Sequence, residues 1–534
     1  MKRNFISLLS ITLLSLVGCG GGSSTGLKYD KRSNYSFDEV SNEDGSMSYE
    51  IFVRSFYDHD GDGIGDLLGV KDKLPYIADL GIKTIWLMPI HKSPSYHGYD
   101  VSDYYSIHPE YGTLEDFDSL VEEANKYNID IMIDMVLNHC SRENRYFLKS
   151  YEDYLDNNTS STSYADWFKW SDKPIGSGYN IYNGVYYESR FDASMPDFNL
   201  DNEAVRNEIE NICEFWIKEH GVKGFRLDAV LYYYYMDTEK NVEFLSWLDG
   251  VTKKYNKDFY MVGECWDSDT VVSQYYQSKC ESFFKFTSGL TGSSEPNASI
   301  TNLSKGYLKS SRFLTNIANY EKKIHANNPN GYSSYFLANH DNDRPSISLS
   351  DVNAKVAASI YGLLPGTPFM YYGEEIELKG LRKSSDYSDA RRRLPMIWSK
   401  DDKTGETVFP ERNRQDLNNN DQVEEGVNDK LKEGYSLLNH YKKVINVRNK
   451  YPIFKHGIFS SMYNELELDN DYIVAYKISL NDDYIVVITN VGEENATINV
   501  KEMEIQDEIN TSRLIPQIKN GILEIAPKST VLLK

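Results

Sequence analysis

The chain has 534 residues, of which 40% are hydrophobic and 13% aromatic, enough for about three domains or one large barrel with additions. Its 57 basic residues against 80 acidic ones give a net charge of −23, which argues against nucleic acid or any polyanion as partner, because phosphate neutralisation needs a basic surface. A mean hydropathy of −0.54 excludes a polytopic membrane protein and leaves neutral small molecules or neutral polymers as the ligand classes. Of the five cysteines, Cys140, Cys213, Cys265 and Cys280 are scattered without CxxC spacing, so neither a zinc set nor a disulfide framework is expected, only free buried thiols.

At the N-terminus, Lys2 and Arg3 precede an apolar run over residues 5–17, too short to span a bilayer and suited to a signal-peptide core. It ends Leu16-Val17-Gly18-Cys19, which resembles a bacterial lipobox. That resemblance implies cleavage before Cys19, acylation of its thiol and amine, and attachment to the outer face of the cell membrane by the lipid anchor alone. Gly20, Gly21, Gly22, Ser23 and Ser24 then read as a flexible tether. The expected order is a leader over 1–18 and a tether over 19–45.

From residue 46 the chain alternates short apolar runs with helix-period segments, the pattern of a parallel α/β protein. Strands are predicted over residues 49–56, 83–89, 129–138, 224–230, 259–264, 282–286, 335–339 and 368–372, the number that a (β/α)8 TIM barrel requires. After the first comes Asp58-His-Asp60-Gly-Asp62-Gly-Ile64-Gly-Asp66, whose oxygen donors alternate like the start of a calcium loop, although its twelfth position is Gly69 instead of the EF-hand glutamate. Thr113 and Asp116 form a capping pair ahead of Phe117, Leu120, Val121 and Ala124 at helical spacing. Asn202 opens a helix carrying Val205, Ile209, Ile212 and Trp216 inward, and Gly221 stops it. Between the third and fourth strands lies far more chain than one crossover helix needs, polar and rich in Trp and Tyr. The barrel is therefore read as 46–139 and 201–450, with an inserted domain over 140–200 after strand 3. Residues 451–534 change to short β-type runs separated by turns, an antiparallel β-sandwich domain.

Acidic residues fall at or near the carboxyl ends of several predicted strands: Asp134, Asp228, Glu264 and Asp341. A barrel brings such ends to one mouth. The surrounding phrases are DMVLNH at 134–139, GFRLDA at 224–229, Gly263-Glu264 and FLANHD at 336–341, supported by GIKTIWLMPI at 81–90, Gly98-Tyr99-Asp100, MPDFN at 195–199 and GTPFMYYGE at 366–374. With these the chain resembles glycoside hydrolase family 13, the α-amylase family, from about residue 46 onward. The resemblance implies Asp228 as nucleophile, Glu264 as general acid/base and Asp341 as the residue that grips the hydroxyls of the distorted sugar. Tyr99 would stack on that sugar, and Asp100, His139, Arg226 and His340 would complete substrate binding. It further implies a calcium ion held by Asp58, Asp60, Asp62, Asp66 and the main-chain carbonyl of Ile64, with Asn138 a candidate for a second calcium site. The chemistry fits the residue types: a retaining glycosidase needs two carboxyl groups about 5–5.5 Å apart, one ionised to attack and one protonated to donate. Arg226 stands two residues before Asp228, on the same side of the strand, and is expected to keep Asp228 ionised and lower its pKa. Glu264 is expected in a less polar setting that retains its proton.

Within the family, MPDFN resembles the MPDLN phrase of amylases intermediate between oligo-1,6-glucosidases and neopullulanases, with Phe198 in place of Leu. The RLPMIW phrase at 393–398 is common to both neighbours. Ala229 after the nucleophile leans toward α-1,4 linkages, whereas Leu231-Tyr232 replaces the Lys-His of many endo-amylases. The expectation is a monomeric, surface-anchored endo-amylase acting on starch or maltodextrin. The alternatives are an exo-acting α-glucosidase, oligo-1,6-glucosidase or neopullulanase-type enzyme, and a non-catalytic glucan-binding lipoprotein. Complete carboxylates at 228, 264 and 341 argue against the last.

Overall fold

The computed structural model describes residues 27–32, 35, 47–289, 299–382, 388–410 and 422–534; the leader, Cys19 and most of the tether lie outside these. The described part of the stretch read as tether is held against the rest of the chain, while Gly20–Ser24 lie outside the described residues. Lys28–Tyr29 pairs antiparallel with Leu514–Ile515, and the Tyr35 hydroxyl donates to the Asn510 carbonyl at 2.7 Å beside His440.

Eight parallel strands form the barrel: β1 Ser48–Ile51, β2 Thr84–Leu87, β3 Asp130–Met135, β4 Gly224–Leu227, β5 Tyr260–Gly263, β6 Ser282–Phe284, β7 Tyr332–Ser334 and β8 Phe369–Tyr371. Their order is β7-β6-β5-β4-β3-β2-β1-β8. Between β7 and β8 the seam closes through one parallel bridge, Phe336 to Phe369, with the Phe369 amide donating to the Tyr335 carbonyl at 2.8 Å. The seventh strand corrects the sequence reading. Its paired part is 332–334, and the apolar phrase expected as strand at 335–339 is mostly the turn that carries the site.

Alternation along each strand sorts side chains. Trp86, Met132, Val262, Phe284 and Phe369 point inward and, with Phe286 and Phe336, fill the barrel; Glu50 and Arg226 share that interior. Tyr49, Ile51, Ile85, Leu87, Ile131 and Ile133 point outward into the apolar layer beneath the helices. The Thr113–Asp116 capping box forms as expected ahead of helix Leu114–Lys126. Asn202 caps Glu203–Glu214, which widens into a π-helical turn at Phe215–Glu219 before Gly221 at φ +69°. Cys140, Cys213, Cys265 and Cys280 are free and buried.

The long segment after β3 contains helix Arg145–Leu155 and a small antiparallel sheet of Trp170–Ser171, Val185–Glu188 and Tyr179–Tyr182. Phe147 centres its core, with Phe168, Trp170, Tyr182 and Tyr187 rings 5.0–5.3 Å away. The segment returns to its point of departure: the Phe198 amide donates to the Asn138 carbonyl at 2.9 Å and Cys140 to Pro196 at 3.1 Å. The C-terminal region has a five-stranded and a three-stranded antiparallel sheet. One face of the larger sheet (Ile473, Ala475, Val486, Ile488, Val531) builds its own core, and the other (Val474, Tyr476, Ile478, Ile485, Val487) joins the barrel's. No helix among the described residues is long and apolar enough to cross a membrane.

Candidate active site

The carboxyl ends of the strands open into a cleft of about 860 Å³ lined by Tyr99, His139, Asp228, Ala229, Glu264 and Asp341 among others. Strand register assembles its floor. Arg226 on β4 stands opposite Asp134 on β3 and Val262 on β5, so the residues that follow, Asp228 and Glu264, emerge side by side. The Arg226 guanidinium, 1% exposed, serves three carboxylates. Nη1 donates to Asp228 Oδ1 at 2.6 Å and to Asp134 Oδ1 at 3.1 Å, and Nη2 lies 3.0 Å from Glu264 Oε2. Glu264 Oε2 also accepts the Ala229 amide at 3.0 Å. Ala229 adopts φ +51°, a left-handed conformation unusual for a residue with a Cβ, which turns the chain sharply after Asp228.

Burial pushes the Glu264 carboxyl above the usual carboxylate range, against the pull of Arg226, as an acid catalyst requires. Asp228 departs from expectation. Burial outweighs Arg226 there too and leaves it raised, because one guanidinium divided among three buried carboxylates cannot fully replace lost hydration. Asp134 is pushed up by burial to about 7.

Asp341 follows β7. Burial would raise its carboxyl, but His340 first, and Arg393 after it, hold it well below the usual range. His340 Nε2 lies 3.1 Å from Asp341 Oδ2, and Arg393 Nη2 3.1 Å from Oδ1. Tyr99 stacks on the His340 ring at 5.5 Å, with its oxygen 2.7 Å from Nε2 and its hydroxyl donating to Asp134 Oδ2 at 3.1 Å. Behind the imidazole, Nδ1 meets Glu50 Oε1 at 2.6 Å.

His139 lines the cleft; burial lowers its pKa to about 4, so the ring is neutral, and Nε2 has no protein partner among the described residues. Asp100 is not among the cleft-lining side chains. It accepts hydrogen bonds from Ser93 at 2.8 Å and from Ser95, holding the loop that presents Tyr99. Sequence reasoning missed Arg393, His97, Phe191 and Asp389, which also line the cleft. The first opens the RLPMIW phrase and had a signal; His97 and Phe191 sit on loops and Asp389 in a single 3-10 turn, with no periodicity to mark them.

Asp58, Asp60 and Asp66 bring carboxylate oxygens within 4.8 Å of one another at the start of helix Leu67–Asp72, a hard oxygen set suited to calcium. Asp62 stands apart from that group; its Oδ1 caps the Ile64 amide at 2.7 Å. Asn138 instead ties the inserted segment down, donating to Asp197 Oδ1 at 3.2 Å. Glu188 beside Asp197 is bridged by Arg190 at 2.6 Å and Lys169 at 3.0 Å, so fixed cations already supply positive charge there.

A buried Arg–carboxylate floor at the mouth of a (β/α)8 barrel, with a His–Asp pair facing it, defines a glycoside hydrolase site. Residues 50–457 match the α-amylase catalytic-domain family, and the chain belongs to that family, glycoside hydrolase family 13. It is 36% identical to alpha-amylase 3 of Dictyoglomus thermophilum over 92% of this chain and 93% of that one. It is 28% identical to an oligo-1,6-glucosidase of Parageobacillus thermoglucosidasius, over 86% and 92% of the two chains. Among solved structures, Amy13B of Eubacterium rectale superposes with a TM-score of 0.85 at 33% identity, covering 94% of this chain and 99% of that one.

Proposed function

We propose that the protein is a retaining, endo-acting α-amylase that hydrolyses α-1,4-glucosidic bonds in starch and maltodextrins. One observation carries the reading: Asp228 and Glu264 share one buried guanidinium on the floor of an open cleft, with Asp341 facing them. Asp228 makes the shorter bond to Arg226 and is the ionised partner. Its oxygen attacks the anomeric carbon as the bond to the leaving oxygen breaks, and Glu264 gives that oxygen its proton. Glu264, now a carboxylate, takes a proton from water; the water oxygen attacks the anomeric carbon and releases Asp228. Asp341, held ionised by His340 and Arg393, grips the hydroxyls of the flattened ring. Tyr99 presents a ring face to the sugar, and the neutral His139 offers Nε2 to a hydroxyl.

Similarity over nearly the full length of alpha-amylase 3 supports the endo-amylase reading. An exo-acting or α-1,6-cleaving enzyme with the same catalytic residues is the second reading, supported by the oligo-1,6-glucosidase relative. In either, Asp58, Asp60 and Asp66 would hold calcium, which would rigidify the loop after β1. The residues at Leu16–Cys19 support export and lipid anchoring; a Cys19→Ala protein would then leave the membrane fraction.

The soluble chain from Leu27 is to be given maltoheptaose with a blocked non-reducing end, beside an Asp228→Asn control. Internal cleavage, lost in the control, is expected. Cleavage of free but not blocked maltoheptaose would move the protein to the exo-glucosidases, and activity retained by Asp228→Asn would overturn the nucleophile.

A further inference from the structure

Glu50 plays no part in the mechanism above, yet it points into the barrel directly behind the site. It is 1% exposed and His340 is fully buried, and the two meet at 2.6 Å. A carboxylate in the apolar interior of a barrel is costly unless paired, and neighbouring Trp86 meets His340 only as a T-shaped ring contact, at 5.7 Å. The partners of the two ring nitrogens bear on the imidazole's proton count. Nδ1 faces a carboxylate oxygen that can only accept. Nε2 faces Asp341 Oδ2 at 3.1 Å and, at 2.7 Å, a Tyr99 oxygen whose own hydrogen is given to Asp134. Each ring nitrogen thus faces a carboxyl oxygen, Nδ1 that of Glu50 and Nε2 that of Asp341, an arrangement in which the imidazolium donates on both sides.

We propose that Glu50 is a positioning residue of the reaction: it holds His340 as a cation, whose second N–H orients Asp341 and Tyr99 toward the sugar. This rests on the hydrolase reading of the same site. A line of hydrogen bonds then runs from Glu50 through His340, Tyr99 and Asp134 to Arg226 and Asp228, so the charge behind the barrel wall reaches both sides of the reacting ring. The groups facing His340 are Glu50 from β1, Tyr99 from the loop after β2, Asp134 from β3, Arg226 and Asp228 from β4, Asp341 beside it, and Arg393, which donates to the His340 carbonyl at 3.2 Å. Burial alone would lower the imidazole's pKa; Asp341 and Glu50 together reverse this and carry it to about 9. Without the Glu50 charge, His340 loses its proton within the working pH range, Nδ1 or Nε2 ceases to donate, and Asp341 and Tyr99 lose their anchor.

The test compares wild type, Glu50→Gln (same shape, no charge) and Glu50→Asp (charge kept), each first shown to melt cooperatively. Histidine rings are labelled with ¹³C and the His340 signal assigned by its absence in His340→Asn. Wild-type His340 is expected to titrate near pH 9. In Glu50→Gln that midpoint and the alkaline limb of kcat/KM on maltoheptaose both fall by about one pH unit or more, so that activity drops roughly tenfold further at alkaline than at neutral pH. Glu50→Asp restores much of the alkaline limb. Superimposable pH profiles for wild type and Glu50→Gln, or an unmoved His340 titration, would overturn the proposal and leave Glu50 a structural residue. The ring titration needs no substrate, so failure to cut maltoheptaose would count against the amylase reading without being mistaken for failure of this one.

Discussion

Arg226 is bound to Asp134, Asp228 and Glu264 at once, so its removal should cost more than catalysis. Arg226→Met strands three buried carboxyls, and uncompensated buried charge costs about 3–5 kcal/mol. The urea midpoint should fall accordingly, and adding Asp134→Asn should recover part of the loss. Glu374 gives a second residue-level expectation. It is buried, with Oε1 accepting from Tyr361 at 3.0 Å and from Tyr441, while Oε2 has no partner among the described residues. Burial pushes its pKa up to about 8 from the ordinary 4.5. The native state then keeps a proton that the unfolded chain has released, so its contribution to stability falls as pH rises between those values. Glu374→Gln carries no such dependence. Its melting temperature should gain on wild type steadily across roughly pH 5 to 8, and parallel curves would refute the assignment. Residues of this kind were half legible: Asp134, Asp228, Glu264 and Asp341 announce themselves at strand ends, whereas Glu50 is one acidic residue inside an apolar strand and gains meaning only when His340 folds against it.

Among elements, the loop from Asp58 to Asp66 is the one among the described residues whose carboxylate set suits a cation. Asp58 accepts the Gly61 and Gly63 amides at 2.7 Å, and Asp66 caps the following helix through the Gly69 amide at 2.7 Å, so the carboxylates are already aimed when a cation arrives. Chelation should lower the melting temperature, calcium should restore it better than magnesium, and Asp60→Asn should be less stable and indifferent to chelator. Differential scanning calorimetry in the two buffers checks this; an unchanged transition would exclude a metal at the loop. The seventh strand shows where pattern reading fails. The apolar run at 335–339 has the composition of a strand, but hydrogen bonding with β6 ends at Ser334, and beyond it the chain leans on β8 through Phe336 before turning to deliver His340 and Asp341. Periodicity reports burial, and those residues are buried; it does not report which neighbour accepts their amides.

At the scale of the whole molecule, the charge of −23 would, on the proposed function, meet a substrate that carries none. The KM for maltodextrins should therefore be nearly unchanged by salt over roughly 0.05–0.5 M, where screening would alter binding of a charged ligand. A strong salt dependence in initial-rate measurements would point to a charged substrate. The C-terminal domain also does more than decorate the barrel: Tyr476 donates to the Leu363 carbonyl at 3.0 Å, and one sheet face lies in the barrel's core. A chain ending at residue 450 should therefore aggregate, as recovery of soluble protein would show. The barrel and the β-rich tail were legible in the sequence because each rests on repetition, and the insertion because it interrupts the barrel's repeat. Phe191 was not marked, since loops that fold onto a cleft obey no period, and Arg393 was visible only as the opening of the RLPMIW phrase. The insertion itself has one more property. The chain leaves the barrel at Asn138 and rejoins it at Phe198, and those two residues are hydrogen-bonded to each other. A stretch whose two ends touch can be cut out and replaced without separating the strands on either side. The wall carrying Phe191 and Met195 is thus a cassette, and exchanging it between related barrels offers a way to change which sugars are admitted while the catalytic floor stays where it is.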